Sequence, residues 1–313
     1  MSMFLAVLAL VGGLAVLIAG ADFLVRGSAQ LARVMGLSAF AIGVTVVAFG
    51  TSAPELFASI GAALQGVPDL AIGNVVGSNI ANILLIMGVG ALMSPMVVER
   101  RVRLVEMPIM LVITIAASVL LIDFSLTRFE GGLLAAGLVG YVLFIVRSHR
   151  VEIVEEAQEV VTHPKPVWID VLMIVGGVVA LGIGAKALVY GASEIAMAVG
   201  VPAGVVGTTV VAFGTSLPEL AATVRAALGK STDIAVGNVV GSNIFNLLSV
   251  LGITALIQPL AMPASMAWDI WVMLGVSVFW VVLAALRPGM GRVTGAFFAA
   301  GYCAYIAVSF LGR

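Results

Sequence analysis

Two glutamates stand in stretches that are otherwise fit for lipid. One closes Gly43-Val-Thr-Val-Val-Ala-Phe-Gly-Thr-Ser-Ala-Pro-Glu55 and the other closes Gly207-Thr-Thr-Val-Val-Ala-Phe-Gly-Thr-Ser-Leu-Pro-Glu219. A charge at membrane depth costs about 3 kcal/mol or more unless it is paired or faces a cavity, so each glutamate marks a site. Pro54 lacks an N–H and clashes with the carbonyl of residue 50, so the helix should break there and free carbonyls near Ala48 and Phe49. Thr51 and Ser52 precede Glu55 by four and three residues. Their oxygens therefore project to one side of the restarting helix, and Thr215, Ser216 and Glu219 repeat the arrangement. The simpler reading is that Ser52-x-x-Glu55 and Ser216-x-x-Glu219 are capping boxes. A serine alone would cap, however, and an ionisable residue at lipid depth asks for a further reason.

The complement lies in Gly73-Asn-Val-Val-Gly-Ser-Asn-Ile-Ala-Asn82 and Gly237-Asn-Val-Val-Gly-Ser-Asn-Ile-Phe-Asn246, which hold all six asparagines of the chain. Ser78 with Asn82, and Ser242 with Asn246, are spaced four apart, so each pair puts a hydroxyl and an amide oxygen on one helical face. Gly73, Gly77, Gly237 and Gly241 permit close backbone approach, and the asparagines, Asn74, Asn79, Asn238 and Asn243 above all, could instead merely glue helices. Carboxylate, hydroxyl, amide and carbonyl oxygens suit sodium and calcium and disfavour zinc or copper. Two carboxylates are neutralised by one divalent ion or by two monovalent ions. Competition for the same carboxylates is a physical basis for exchange.

The elements that must position these residues follow from composition. Of 313 residues, 62% are hydrophobic and only 10% charged, against about a quarter charged in soluble domains. Fifteen basic and sixteen acidic residues cannot coat a soluble protein of this size, and the missing surface must face lipid. The net charge of −1 argues against nucleic acid. The single cysteine, Cys303, excludes a disulfide framework and a cysteine-based zinc site. At about 20 residues per crossing, the apolar runs give ten spans: 3–33, 38–65, 69–93, 104–122, 127–147, 167–199, 202–228, 233–258, 266–286 and 291–311. The run from Met1 to Val11 has no basic start and reads as the first span, not a cleaved signal.

A shift of 164 residues lays Gly43–Leu92 on Gly207–Leu256 with 31 of 50 positions identical, and Gly12, Gly13, Gly20 and Gly27 on Gly176, Gly177, Gly184 and Gly191. Each half holds five spans, an odd number, so the copies must lie in opposite orientations. The expected fold is an all-α membrane protein. Residues 1–147 form the first inverted repeat (spans 1–5), 148–166 a cytoplasmic linker and 167–313 the second repeat (spans 6–10), with broken helices 2, 3, 7 and 8 around a central ion site. With the N-terminus outside, inward loops collect Arg33, Arg100, Arg101, Arg103, Arg147, Arg150, Lys165, Arg225, Lys230, Arg287 and Arg292, and the outer side only Arg128 and Arg313. That bias places both termini outside and the central loop in the cytoplasm. Arg26 and Lys186 lie within spans, and Asp22, four residues before Arg26, reads as its ion-pair partner.

The motif Ala-Phe-Gly-Thr-Ser-x-Pro-Glu-Leu followed by Gly-Asn-Val-Val-Gly-Ser-Asn-Ile-x-Asn, present twice, resembles the two alpha repeats of the calcium/cation antiporter superfamily, sodium/calcium exchanger branch of prokaryotic type. The resemblance covers the whole chain. It implies an antiporter that moves sodium against calcium by alternating access, in the inner (plasma) membrane, with no cofactor and no obligatory protein partner besides the bilayer. It implies a pocket lined by Ala48, Thr51, Ser52, Glu55, Ser78, Asn82, Ala212, Thr215, Ser216, Glu219, Ser242 and Asn246, with the alanines acting through their carbonyls. Calcium would fall to Glu55, Glu219, Thr51 and Thr215. It further implies that spans 1 and 6 slide as a gating pair across the other eight. Some relatives carry aspartate at the position of Asn246, so this chain has one central carboxylate fewer and obligatory potassium co-transport is not expected.

Proton/calcium exchange is the alternative, since carboxylates also carry protons. A cation channel could use the same oxygens but would need no counter-ion. Enzymatic function is not expected: no Ser/His/Asp or His-Glu-x-x-His arrangement falls at membrane depth, and His149 and His163 lie in the polar central stretch.

Overall fold

The computed structural model describes residues 3–148, 166–200 and 212–311, and these are overwhelmingly helical. In chain order the helices are α1 (Met3–Met35), α2 (Ala39–Thr51), α3 (Ala53–Leu64), α4 (Pro68–Met93), α5 (Val102–Leu120) and α6 (Arg128–Ser148). After them come α7 (Val167–Ala198), α8 (Leu217–Leu228), α9 (Thr232–Ile257), α10 (Ala264–Leu286) and α11 (Arg292–Leu311). Among the described residues, seven helices are long and apolar enough to cross a membrane, or eight if the bent pair α2 and α3 is one span. Much of the linker expected at 148–166, with His149 and His163, and residues 202–211 of the expected seventh span lie outside the described residues.

The two longest helices, α1 and α7, run antiparallel against each other. Gly20 sits so close to α7 that a Cβ there would lie 2.8 Å from the Leu181 nitrogen, and one at Gly177 would lie 2.7 Å from the nitrogen of Leu24. Small residues on both sides let the backbones touch. At 33 and 32 residues, each spans about 50 Å, too long to cross a core of about 30 Å upright. Their far faces carry exposed apolar side chains such as Leu8, Val11, Val175 and Val179. Asp22 on α1 takes Arg26 at 2.9 Å, as its spacing suggests, and also takes Arg225 of α8 at 2.5 Å.

α4 and α9 are the most buried helices and form the centre. The two halves interlock around them: Gly131 of α6 packs on Gly252 of α9, and Gly295 of α11 packs on Gly88 of α4. Two short antiparallel strand pairs do the same. β1 (Met96–Val97) pairs with β4 (Gly289–Met290), and β2 (Ser125–Leu126) with β3 (Leu260–Ala261). Each pair takes one strand from each half, and β1 and β3, like β2 and β4, are 164 residues apart.

The halves also share their turns. α1 ends at Gly36 (φ 62°) and α7 at Gly200 (φ 92°), and α3 ends at Gly66 (φ 79°), while its counterpart after α8 is Lys230 (φ 58°). The hydrogen bonds match: Gly66 and Val67 donate to Ala63 and Ala62, and Lys230 and Ser231 donate to Ala227 and Ala226. Glycine adopts this left-handed backbone freely, but lysine pays for its Cβ. Lys230→Gly should therefore stabilise the protein by about 1 kcal/mol, read as a raised thermal midpoint; an unchanged or lowered midpoint would count against strain at this turn.

Candidate ion-binding site

Pro54 and Pro218 lie in the first turns of α3 and α8, where a missing N–H does no harm. The preceding serines take matching non-helical torsions, Ser52 at φ −83°, ψ 1° and Ser216 at φ −87°, ψ 3°. α2 and α3 are bent by 41° at this point. α4 and α9, where breaks were expected, run on continuously; each contains a π turn, Asn82–Ile86 and Asn246–Leu251, that begins at an equivalent asparagine. A third π turn, Gly43–Val47, lies in α2 against Gly237 and Gly241 of α9. Turns of this kind appear where a helix must re-aim side chains without stopping.

Neither serine caps its helix: Ser52 and Ser216 make no side-chain capping bond. Each hydroxyl crosses to the other half instead. Ser52 Oγ donates to Glu219 Oε1 at 3.0 Å, and Ser216 Oγ lies 3.5 Å from Glu55 Oε1 and 3.3 Å from Ser78 Oγ. The two clusters read from sequence are thus one interlocked cluster. Glu55 and Glu219 are each 1% exposed. Thr51, Ser52, Ser78, Asn82, Ser216, Ser242 and Asn246 are also buried, and Thr215 is partly exposed. The side chain of Ala212 lies outside the described residues.

One detail departs from expectation. The Ala48 carbonyl is not released by the break; it accepts the Ser52 N–H at 2.9 Å and the Thr51 hydroxyl at 3.3 Å. A proline deprives the carbonyl four residues back, which here is that of Gly50.

Several buried oxygens in the cluster have no protein partner: Glu55 Oε2, Glu219 Oε2, Asn82 Oδ1, Asn246 Oδ1 and Ser242 Oγ. Buried polar atoms are seldom left so, and leaving one bare costs on the order of 1–3 kcal/mol. A group of such atoms, two of them on carboxylates, is a set of hard donors suited to a cation. Among the described residues no three His, Cys, Asp or Glu side chains come together, so the pair of glutamates is not joined by a further acid or by a nitrogen or sulfur ligand.

Residues that the sequence reading left outside the ligand set brace it. Asn74 Nδ2 donates to the Glu55 carbonyl (3.3 Å) and to Ser59 Oγ (3.0 Å). Asn238 Nδ2 donates to the Glu219 carbonyl (3.3 Å) and to Thr223 Oγ1 (2.9 Å). The signal was present: Asn74, Ser78 and Asn82 recur every four residues along one helix face, and Ser59 follows Glu55 by four. Asn79 and Asn243 point elsewhere, to Met273 Sδ and the Val239 carbonyl, and fit a helix-packing role.

A duplicated, interlocked helical bundle with paired carboxylates in its interior defines a multi-spanning membrane protein of the repeat-built transporter class. The family model described as Sodium/calcium exchanger protein matches residues 5–147 and again 169–311, and the chain belongs to that family. Inner membrane protein YrbG of Escherichia coli is 35% identical over 98% of this chain and 97% of its own length. Sodium/calcium exchanger MaX1 of Methanosarcina acetivorans is 34% identical over 83% of this chain and 86% of its own. The structure of the sodium-calcium exchanger NCX_Mj, soaked with sodium and strontium, superimposes with a TM-score of 0.87 at 33% identity, covering 98% of this chain and 99% of that one.

Proposed function

We propose that this chain is a secondary antiporter that exchanges sodium for calcium across the membrane, one cargo displacing the other from a site between α3, α4, α8 and α9. The observation that carries the reading is the pair of buried glutamates, each bound through one oxygen to a serine of the other half and each with its second oxygen unpartnered. One calcium or two sodium ions would neutralise their charge, so the two cargoes compete for one set of oxygens. The ligands are Glu55, Glu219, Thr51, Thr215, Ser52, Ser216, Ser78, Ser242, Asn82 and Asn246, with the carbonyls of Ala48 and Ala212. Calcium rests chiefly on the two glutamates and two threonines. For the Ala48 carbonyl this requires that the Thr51 hydroxyl turn away.

The same reading takes the chain as two inverted repeats of five spans, residues 1–147 and 167–313, joined by a cytoplasmic linker at 148–166, with both termini outside an inner (plasma) membrane. Equivalent glycine contacts and crosswise strand pairs between the halves support the pseudo-symmetry, and the eleven-to-two distribution of basic residues supports the orientation.

In vesicles containing the purified protein, calcium uptake is expected to require an opposing sodium gradient and to stop when that gradient is collapsed. Uptake indifferent to sodium would overturn the proposal, and uptake driven instead by a pH gradient would identify a proton/calcium exchanger. Conductance without any counter-ion would identify a channel.

A further inference from the structure

In each half a glycine stands directly before two ion-site residues: Gly50 before Thr51 and Ser52, and Gly214 before Thr215 and Ser216. Both glycines are covered by α7. A Cβ at Gly50 would collide with Val178 Cγ2, and one at Gly214 with Val189 Cγ2, and at both positions the nearest atoms all belong to that valine. The two valines are eleven residues apart, three turns of one helix or about 16 Å, so a single face of α7 reaches both. α7 thus bears on both half-sites at once, at the two places where the chain has no side chain to hold it off.

The repeat supplies a second set of candidates for the same two hollows. One repeat length back from Val178 and Val189 stand Leu14 and Val25 of α1, and Gly50 and Gly214 are themselves twins. The twin of Gly50 against Val178 is therefore Gly214 against Leu14, and the twin of Gly214 against Val189 is Gly50 against Val25. In this structure the hollows hold Val178 and Val189 instead, and Leu14 is 47% exposed. A close-packed hollow the size of one methyl group cannot admit a second side chain, so the two arrangements exclude each other. α1 and α7 touch backbone to backbone through Gly13, Gly20, Gly177 and Gly184, so one arrangement becomes the other by movement of the pair as a unit.

We propose that Gly50 and Gly214 are seats that α7 and α1 occupy in turn: Val178 and Val189 are positioning residues that hold the ion-site segments in the arrangement described, and Val25 and Leu14 replace them in the other. This rests on reading the chain as a carrier, and it names the contacts through which the α1 and α7 pair reaches the ion ligands. Glycine is required at both seats because a side chain there would leave room for neither occupant.

Cysteine pairs test it, in the full chain carrying Cys303→Ser because Cys303 is exposed. A Cβ at Gly50 would lie 3.9 Å from Val178 Cβ, and one at Gly214 would lie 3.4 Å from Val189 Cβ, close to the separation of about 3.8 Å that a disulfide needs. Gly50→Cys with Val178→Cys should therefore close on oxidation. Closure should lower uptake of labelled calcium into vesicles by at least about tenfold, and reduction should restore it, while the oxidised chain still binds calcium at equilibrium. Gly50→Cys with Val25→Cys should close during exchange, when the other arrangement is visited. If the first pair does not fold, Gly214→Cys with Val189→Cys carries the same reading. Full uptake by the closed first pair, a first pair that does not close, or a Val25 pair that stays open during exchange would each overturn the inference. Loss of calcium binding along with uptake would reduce the bond to a distortion of the site and overturn it as well. The functional proposal fails separately, on the absence of sodium-driven uptake by the unsubstituted protein, since the cysteine pairs are read as calcium flux under whichever gradient drives it; a chain that carries no calcium under any gradient overturns both.

Discussion

Glu55→Gln and Glu219→Gln should each lower sodium-driven calcium uptake by at least about a hundredfold. The substitution keeps the shape of the side chain but removes one of the two charges that a divalent ion would meet. Charge-assisted contacts are worth about 1.5–3 kcal/mol each, and an interaction at 4 Å between unit charges amounts to about 4 kcal/mol at an effective dielectric of 20, so a hundredfold loss is a modest expectation. The amide also brings donors where Ser52 Oγ now donates to Glu219 Oε1, so one of two positions must turn away. Uptake of labelled calcium into vesicles, matched for the amount of folded protein, measures the effect. Robust exchange by both variants would remove these residues from the site.

The second large effect is expected where α2 crosses α9. A Cβ placed at Gly241 would lie 2.6 Å from the Val44 carbonyl oxygen and 2.7 Å from the Ala48 Cβ. No rotamer change relieves a clash with backbone, so Gly241→Val must push α2 off α9 and unseat Ala48 and Thr51 with it. Overpacking of a close core costs about 1–3 kcal/mol, and occasionally more; a backbone clash at a helix crossing belongs at the upper end. The variant should yield little monodisperse protein, and what survives should melt early and bind calcium poorly. Gly176→Ala is the comparison, since a Cβ there meets nothing within 4 Å, and it should behave as the unsubstituted chain. A Gly241→Val protein of normal melting temperature would sink the argument.

Local spacing carries a good part of this structure in the sequence, and what it omits is consistent in kind. The helices expected over 69–93 and 233–258 are found at Pro68–Met93 and Thr232–Ile257, because apolar run, proline and turn residues act over a few positions. The break before Pro54 was legible for the same reason. The Ser52-x-x-Glu55 spacing, by contrast, looks like a helix cap, yet the hydroxyl is used by a carboxylate 167 residues away. Nothing in a single helix's period says which neighbour its polar face meets. The contacts of Thr51 with Asn238 and of Ser216 with Glu55, separated by 187 and 161 residues, were hidden by the same limit. The π turns at Asn82 and Asn246 carry no proline or glycine to announce them.

One ion pair joins the two halves without a twin. The ion pair of Asp22 with Arg225 ties α1 to α8, but one repeat length on from Asp22 stands Lys186, and one repeat length back from Arg225 stands Gly61. A duplicated carrier whose halves traded shapes completely would have two mirror-image end states of equal free energy. A bond made in only one of them would tilt the balance. With both partners about a quarter exposed, the pair is worth on the order of 1 kcal/mol, or roughly a fivefold preference in population. A contact without a counterpart in the other half would thus give a duplicated molecule a preferred side.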